Sequence, residues 1–159
     1  MSQVLRVYDL VLEILVAVMF ATMNIILMGQ VIARYFFQFP FMWAEEVGIY
    51  LFIWTVYLGS AIAYKRRSHL LVDFLVNHLP SAPRRCLELS LHLVVMAFLF
   101  LFVFLPGLQY AGMNLQVSAF SVSQIRMGWV YASVPVGALA MIVNMIRVIP
   151  EILRPASAR

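Results

Sequence analysis

Charge is scarce in this chain. Only 11% of its 159 residues are Asp, Glu, Lys or Arg, against 64% hydrophobic. That is too little polar surface for a soluble domain of this size. Cysteine is nearly absent: Cys86 stands alone, which excludes an internal disulfide and a thiolate metal site. Beside Arg85 it reads as a membrane-boundary filler. No cluster of histidines, carboxylates or an activated nucleophile shares one plane, which disfavours a membrane enzyme. Nor is there a basic surface with a fold of its own to hold nucleic acid. The net charge of +4 is met by membrane topology and anionic headgroups. Alternation of apolar and polar residues is also missing, so membrane β-strands are set aside.

What the chain does have is four long apolar runs, at about 14–33, 47–64, 89–110 and 128–146. Each approaches the roughly 20 residues that cross a hydrocarbon core. The expected fold is an all-α integral membrane protein, one membrane domain over residues 1–159 with four transmembrane helices. Asp9 and Glu13 precede the first run, where a secretion signal would carry bases, and no small-residue cleavage site follows it. It is therefore expected to stay as a helix. The connection between spans two and three holds Lys65, Arg66, Arg67, Arg84 and Arg85; Arg6, Arg147, Arg154 and Arg159 lie near the termini. The other two connections carry one base each, Arg34 and Arg126. This bias places both termini and the central connection in the cytoplasm.

The first outer connection is aromatic, with Tyr35, Phe36, Phe37, Phe39, Phe41 and Trp43 around Pro40. Such rings suit the headgroup layer. Glu45 and Glu46 then open the second helix, where carboxylates face the exposed N–H groups and favour the dipole. They are also candidates to pair with Arg34 or with a partner protein. In the inner connection His69, Asp73 and Asn77 recur every four residues, which predicts a short amphipathic helix over 69–79 on the inner leaflet, ended by Pro80 and Pro83. His69 and Asp73 make a weak metal signal, and a structural hydrogen bond explains them better. The second outer connection is polar and uncharged until Arg126, which reads as an anchor beside Trp129 or as a contact for an acidic surface.

Within the spans, Glu46, Tyr50, Ile53, Tyr57, Ser60 and Tyr64 follow helical spacing, with Gly59 and Ala63 alongside. Hydroxyl-bearing rings and small residues on one face predict packing against protein. Span four shows Ser133, Gly137 and Ala140, with Pro135 allowing a kink. Phe98 to Leu105 in span three has no polar face and is expected to meet lipid. Near the midplane only Asn24 is strongly polar; Glu88, His92 and Asn144 lie toward the inner ends. An ion-driven carrier keeps charged groups or broken polar helices at that depth. The leading expectation is thus a non-catalytic subunit bracing a larger membrane protein, with a small self-assembling carrier or channel as the alternative.

The stretch Arg34-Tyr-Phe-Phe-Gln-Phe-Pro-Phe-Met-Trp-Ala-Glu-Glu46, followed by Trp54, Gly59 and His69-Leu-Leu-Val-Asp73, closely resembles the small permease (DctQ-like) subunit of tripartite ATP-independent periplasmic (TRAP) transporters. Arg34 and Tyr35 match the family's arginine–aromatic pair, and Trp43, Glu45 and Glu46 its tryptophan–acid motif. Gly59, His69 and Asp73 match its later glycine, histidine and aspartate. Arg67 departs from the pattern, since relatives commonly carry glycine just before the histidine.

The resemblance implies a part in sodium-coupled uptake of organic anions, carboxylates or sialic acid, across a bacterial or archaeal inner membrane. A solute-binding protein outside delivers the substrate. A large elevator-type subunit, in a 1:1 ratio with this chain, holds the substrate and sodium sites. This chain itself needs no cofactor. On this view Arg34, Tyr35, Trp43, Glu45, Glu46 and Arg126 form an outer rim near the docked binding protein. Tyr50, Trp54, Tyr57, Gly59, Ser60 and Tyr64 face the large subunit. Lys65, Arg66, Arg67, His69, Asp73, Arg84 and Arg85 anchor the inner face to lipid, and phospholipid fills gaps at the subunit interface. The end at Arg159, without a further span, leads to the expectation that the large subunit is a separate polypeptide.

Overall fold

The structure, a computed structural model, describes residues 3–39, 41–67 and 81–153. It contains α1 (Gln3–Phe36), α2 (Met42–Arg67), α3 (Ser81–Phe98), a π-helical stretch (Leu99–Phe104), α4 (Leu105–Met113), α5 (Met127–Tyr131) and α6 (Ser133–Leu153). Four segments are long and apolar enough to cross a membrane: Leu5–Phe36, Met42–Lys65, Leu89–Met113 and Met127–Pro150. Among the described residues there is no strand, only an isolated bridge between Ser118 and Arg126. The amphipathic helix expected over 69–79, with His69 and Asp73, lies outside the described residues.

Each span is longer than its apolar run. The largest extension is at the start of α1, which adds Tyr8 and Asp9 to the helix. Asp9 does not stop the helix because its carboxylate is fully engaged there, as described below. At 34 residues α1 is about 50 Å long, more than a hydrocarbon core needs, so it tilts or projects beyond the bilayer.

The helices pack as a row. α1 packs on α2, α2 on α6, and α6 on the third span, which comprises the end of α3, the π-helical stretch and α4. The core therefore sits around α6. Its Ser133, Asn144 and Met145 are almost completely enclosed, as are Leu58 and Ala61 of α2. In the most apolar window of each span, 44% of the fourth span is buried but only 11% of the first and 6% of the third. The first and third spans are the edges of the row.

Glycine sets the closest approach within the row. A Cβ at Gly137 of α6 would stand 2.6 Å from the Tyr57 Cβ and 3.0 Å from that residue's backbone carbonyl, so the two helices meet backbone to side-chain base. The third span is irregular for a related reason. Pro106 supplies no N–H, and its ring crowds the preceding turn. The preceding six residues widen into i→i−5 bonding, with Leu105 N–H donating to the Phe100 carbonyl. Phe98 stacks on Phe102 and Phe100 on Phe104 along this stretch. The fourth span is interrupted at Ala132, between α5 and α6, three residues ahead of Pro135.

Candidate functional site: polar clasps at the two ends of the row

Polar side chains gather at the two ends of the spans. At the end away from the termini, α2 carries Glu46, half-buried just past its first turn. Tyr50, one turn later, donates its hydroxyl to Glu46 Oε1 at 2.5 Å. The same carboxylate accepts the backbone N–H of Phe120 at 2.8 Å and of Ser121 at 2.6 Å. One side chain thus pins the loop that joins the third and fourth spans. The loop is ordered from within as well. Ala119 N–H donates to the Ile125 carbonyl and Met127 N–H to the Val117 carbonyl, both at 2.8 Å. Arg126 closes it by donating to the Gln116 carbonyl and the Ser118 hydroxyl, both at 3.1 Å. Phe120 stands at the tip, 91% exposed.

The aromatic connection lies at the same end. Tyr35, Phe36, Phe37 and Phe39 are all exposed, and Phe41 joins Phe39 edge-on at 5.4 Å between ring centres. Gln38 turns the chain with φ 53°, a left-handed conformation that costs a residue with a side chain about 1 kcal/mol. Arg34 takes no part in the clasp. Arg34 and a partner protein are the candidate partners that the sequence offers for Glu45 and Glu46; within the chain the Glu46 carboxylate is met by the loop amides and Tyr50. Glu45 and Trp43 are exposed beside it.

At the terminus side, Asp9 of α1 draws two other helices together. Arg147 of α6 grips its carboxylate with both terminal nitrogens, at 2.6 and 2.9 Å, and Lys65 of α2 approaches at 2.5 Å. This two-pronged guanidinium–carboxylate geometry is the strong form of an ion pair. Arg147 also lies over the Tyr8 ring at 5.7 Å and donates to Asn144 Oδ1 at 3.1 Å. Asn144 in turn donates to the Ala61 carbonyl of α2 at 2.8 Å, in a fully buried setting.

A second node joins the third span. Buried His92 presents Nε2 to the Met145 carbonyl at 2.9 Å and Nδ1 to the Tyr64 hydroxyl at 2.8 Å. A carbonyl only accepts, so the neutral ring carries its proton on Nε2 and accepts from Tyr64 at Nδ1. All four spans are tied at this end by side-chain contacts.

Several residues that the resemblance assigns to the large subunit make contacts within the chain itself. Tyr50 holds Glu46 and lies against Met127 of α5, Tyr57 meets Gly137 of α6, and Tyr64 bonds His92 of the third span. Ser60 remains exposed, its hydroxyl turned back to the Val56 carbonyl, and Gly59 has open space before it. Trp54 is half-buried. Lys65 belongs to the Asp9 cluster. The side chains of Arg66, Arg67, Arg84 and Arg85 lie outside the description, as do His69 and Asp73. The roles of Asp9, Arg147 and Tyr8 were not foreseen. One acid and two bases, Asp9, Lys65 and Arg147, placed near the ends of three different spans were the available signal. Among the described residues, no three His, Cys, Asp or Glu gather as metal ligands.

The described residues form an all-helical membrane protein whose two ends are tied by its own polar side chains. Residues 23–154 match the family described as tripartite ATP-independent periplasmic transporters, DctQ component. The chain belongs to that family and is a non-catalytic small permease subunit of the membrane. It is 30% identical over 142 residues to the sialic acid TRAP transporter small permease protein SiaQ of Vibrio cholerae, covering 89% of this chain and 81% of that one. The C4-dicarboxylate TRAP transporter small permease protein DctQ of the same species is 31% identical over 103 residues, 59% of this chain and 44% of that one. The sialic acid TRAP transporter permease protein SiaT of Haemophilus influenzae is 29% identical over 122 residues. These are 77% of this chain but only 20% of SiaT.

Proposed function

We propose that this chain scaffolds the large elevator-type subunit of a sodium-coupled, binding-protein-dependent transporter for organic anions of the carboxylate or sialic acid class. The observation that carries the reading is the open row of helices, in a member of a transporter family, with no charged group at mid-depth among the described residues. Such a row adds breadth to a partner without offering a route of its own. The relatives support the division of labour. The chain spans a fifth of the permease SiaT but 81% of the small permease SiaQ. Substrate and sodium sites accordingly belong to a larger polypeptide.

Within this reading both termini are cytoplasmic. The pinned loop, with Arg126, Glu45, Glu46 and the neighbouring Arg34, Tyr35 and Trp43, lies outside and meets the solute-binding protein. Tyr50, Tyr57 and Tyr64 act on the large subunit indirectly, by fixing α2 in the row. Trp54, Gly59 and Ser60 are the part of that set open to a partner. Lys65, Arg66, Arg67, Arg84 and Arg85, with the segment carrying His69 and Asp73, hold the inner face to anionic lipid. Phospholipid fills the remaining gaps at the subunit interface.

Purification of the tagged chain from its native membrane in mild detergent or nanodiscs, with intact-mass measurement, tests the assignment. A large hydrophobic permease subunit in 1:1 ratio is the expected result. A stable oligomer of this chain alone would overturn it in favour of a self-assembling carrier or channel.

A further inference from the structure

The two edges of the helix row differ in chemistry. The third-span edge presents phenylalanines and leucines, among them exposed Phe98, Leu101 and Phe102, and lipid satisfies such a surface. The α1 edge does not match it. On α1 the buried positions Leu12, Met23, Gln30 and Ala33 turn toward the row, while Asn24, Met28 and Ile32 are exposed on the other side. Asn24 lies ten residues from Arg34 and fifteen from Asp9, about 15 and 22 Å along the helix. That depth is within the hydrocarbon, beyond the reach of headgroups.

The Asn24 amide has two N–H groups and a carbonyl. One N–H donates to the Phe20 carbonyl of its own helix at 2.7 Å. The second N–H and the carbonyl meet no other group among the described residues. Exposed hydroxyls elsewhere escape this problem, as Ser60 does by bonding its own helix. An amide cannot satisfy both of its ends in that way, and open polar groups in hydrocarbon are costly. The α1 surface around Asn24, Met28 and Gly29 is open. Nothing stands within 4 Å of where a Gly29 Cβ would be, so a neighbouring helix has room to approach closely.

We propose that the α1 edge, centred on Asn24, is the surface on which a transmembrane helix of the large permease subunit docks. That helix offers Asn24 a hydrogen-bonding side chain or an exposed backbone carbonyl. The inference rests on the small-subunit reading above and adds the face and the chemistry of contact. The Ser60 face of α2 is then secondary, and the third-span edge faces lipid.

The test uses the full chain co-expressed with its large permease subunit, in native membranes, with benzoylphenylalanine placed at position 24, 28 or 32 and, for comparison, at 60 or 102. Illumination is expected to link the α1 positions to the large subunit, identified by mass, and to leave position 102 unlinked to protein. Large-subunit adducts from 60 or 102 without any from α1 would overturn the proposal while leaving the subunit assignment intact. So would α1 adducts with lipid or with a second copy of this chain. Absence of the large subunit from both adducts and pull-downs would overturn the assignment together with the proposal. Separately, Asn24→Leu should reduce retention of the large subunit in detergent about threefold, the size of one interhelical polar contact in a membrane. Asn24→Gln should retain most of it. Unchanged retention in Asn24→Leu would remove the hydrogen bond from the argument.

Discussion

A carboxylate at a membrane boundary needs donors, and the chain supplies them differently at its two ends. Asp9 is met by cations on two other helices. Glu46 is met by a phenol and two backbone amides some 75 residues away in sequence. The sequence marks Glu46 as notable from its place in the first turn of a span, but backbone amides carry no signature in a sequence. Arg34 was the visible candidate for a partner, and the true partners were not visible. Glu46 has two oxygens for two amides, so truncation and isosteric change are distinguishable. Glu46→Ala should release the loop, with amide hydrogen exchange at Phe120 and Ser121 faster by about tenfold or more. Glu46→Gln keeps one accepting oxygen and should fall between the two. Unchanged exchange in the alanine variant would mean that the loop's own bonds, those of Arg126 included, suffice to hold it.

At the scale of elements, the four spans were legible because continuous apolar runs have few alternative explanations. Their ends were not, because a charged residue such as Asp9 extends a helix when tertiary partners satisfy it and ends it when they do not. The tyrosine stripe of α2 was also legible as a protein-facing surface. Which protein it faces depends on the rotation of α2, and packing sets that rotation. Gly137 is the residue through which α6 fixes it, whereas a Cβ added at Gly48 of α2 would meet the flexible end of Leu27 at 2.7 Å. The two glycines should therefore respond in opposite ways to alanine. Gly48→Ala displaces only a methyl group and gains up to about 1 kcal/mol of helix propensity. Gly137→Ala forces the α2 backbone away, at a cost of about 1–3 kcal/mol for overpacking, which outweighs that gain. Thermal unfolding of the purified chain in detergent should show a lowered midpoint for Gly137→Ala and little change or a rise for Gly48→Ala. Equal behaviour of the two would contradict a glycine-defined contact between α2 and α6.

For the whole molecule, the direction in which the row sits in the membrane decides what each clasp can touch. Arg34 and Arg126 are the two of eleven basic residues that lie on the loop side; the others lie toward the termini or in the central connection. Lys65 and Arg147 are occupied by Asp9, yet the topological rule depends on counts of Lys and Arg near the ends of spans, and acids weigh little in it. The terminus side should accordingly be cytoplasmic, leaving the Glu46-pinned loop and exposed Phe120 outside. A variant with Cys86→Ser and Ser123→Cys has its single thiol in that loop, where Ser123 is exposed. A membrane-impermeant maleimide should label it in spheroplasts, while the companion variant with Cys86→Ser and Gln3→Cys should require lysis first. The reverse pattern would put the loop and the aromatic connection in the cytoplasm, where no extracytoplasmic binding protein can reach them. The outer-rim role of Glu46 and Arg126 would then fall, while the α1 edge, which lies within the bilayer in either orientation, would remain available to a partner helix.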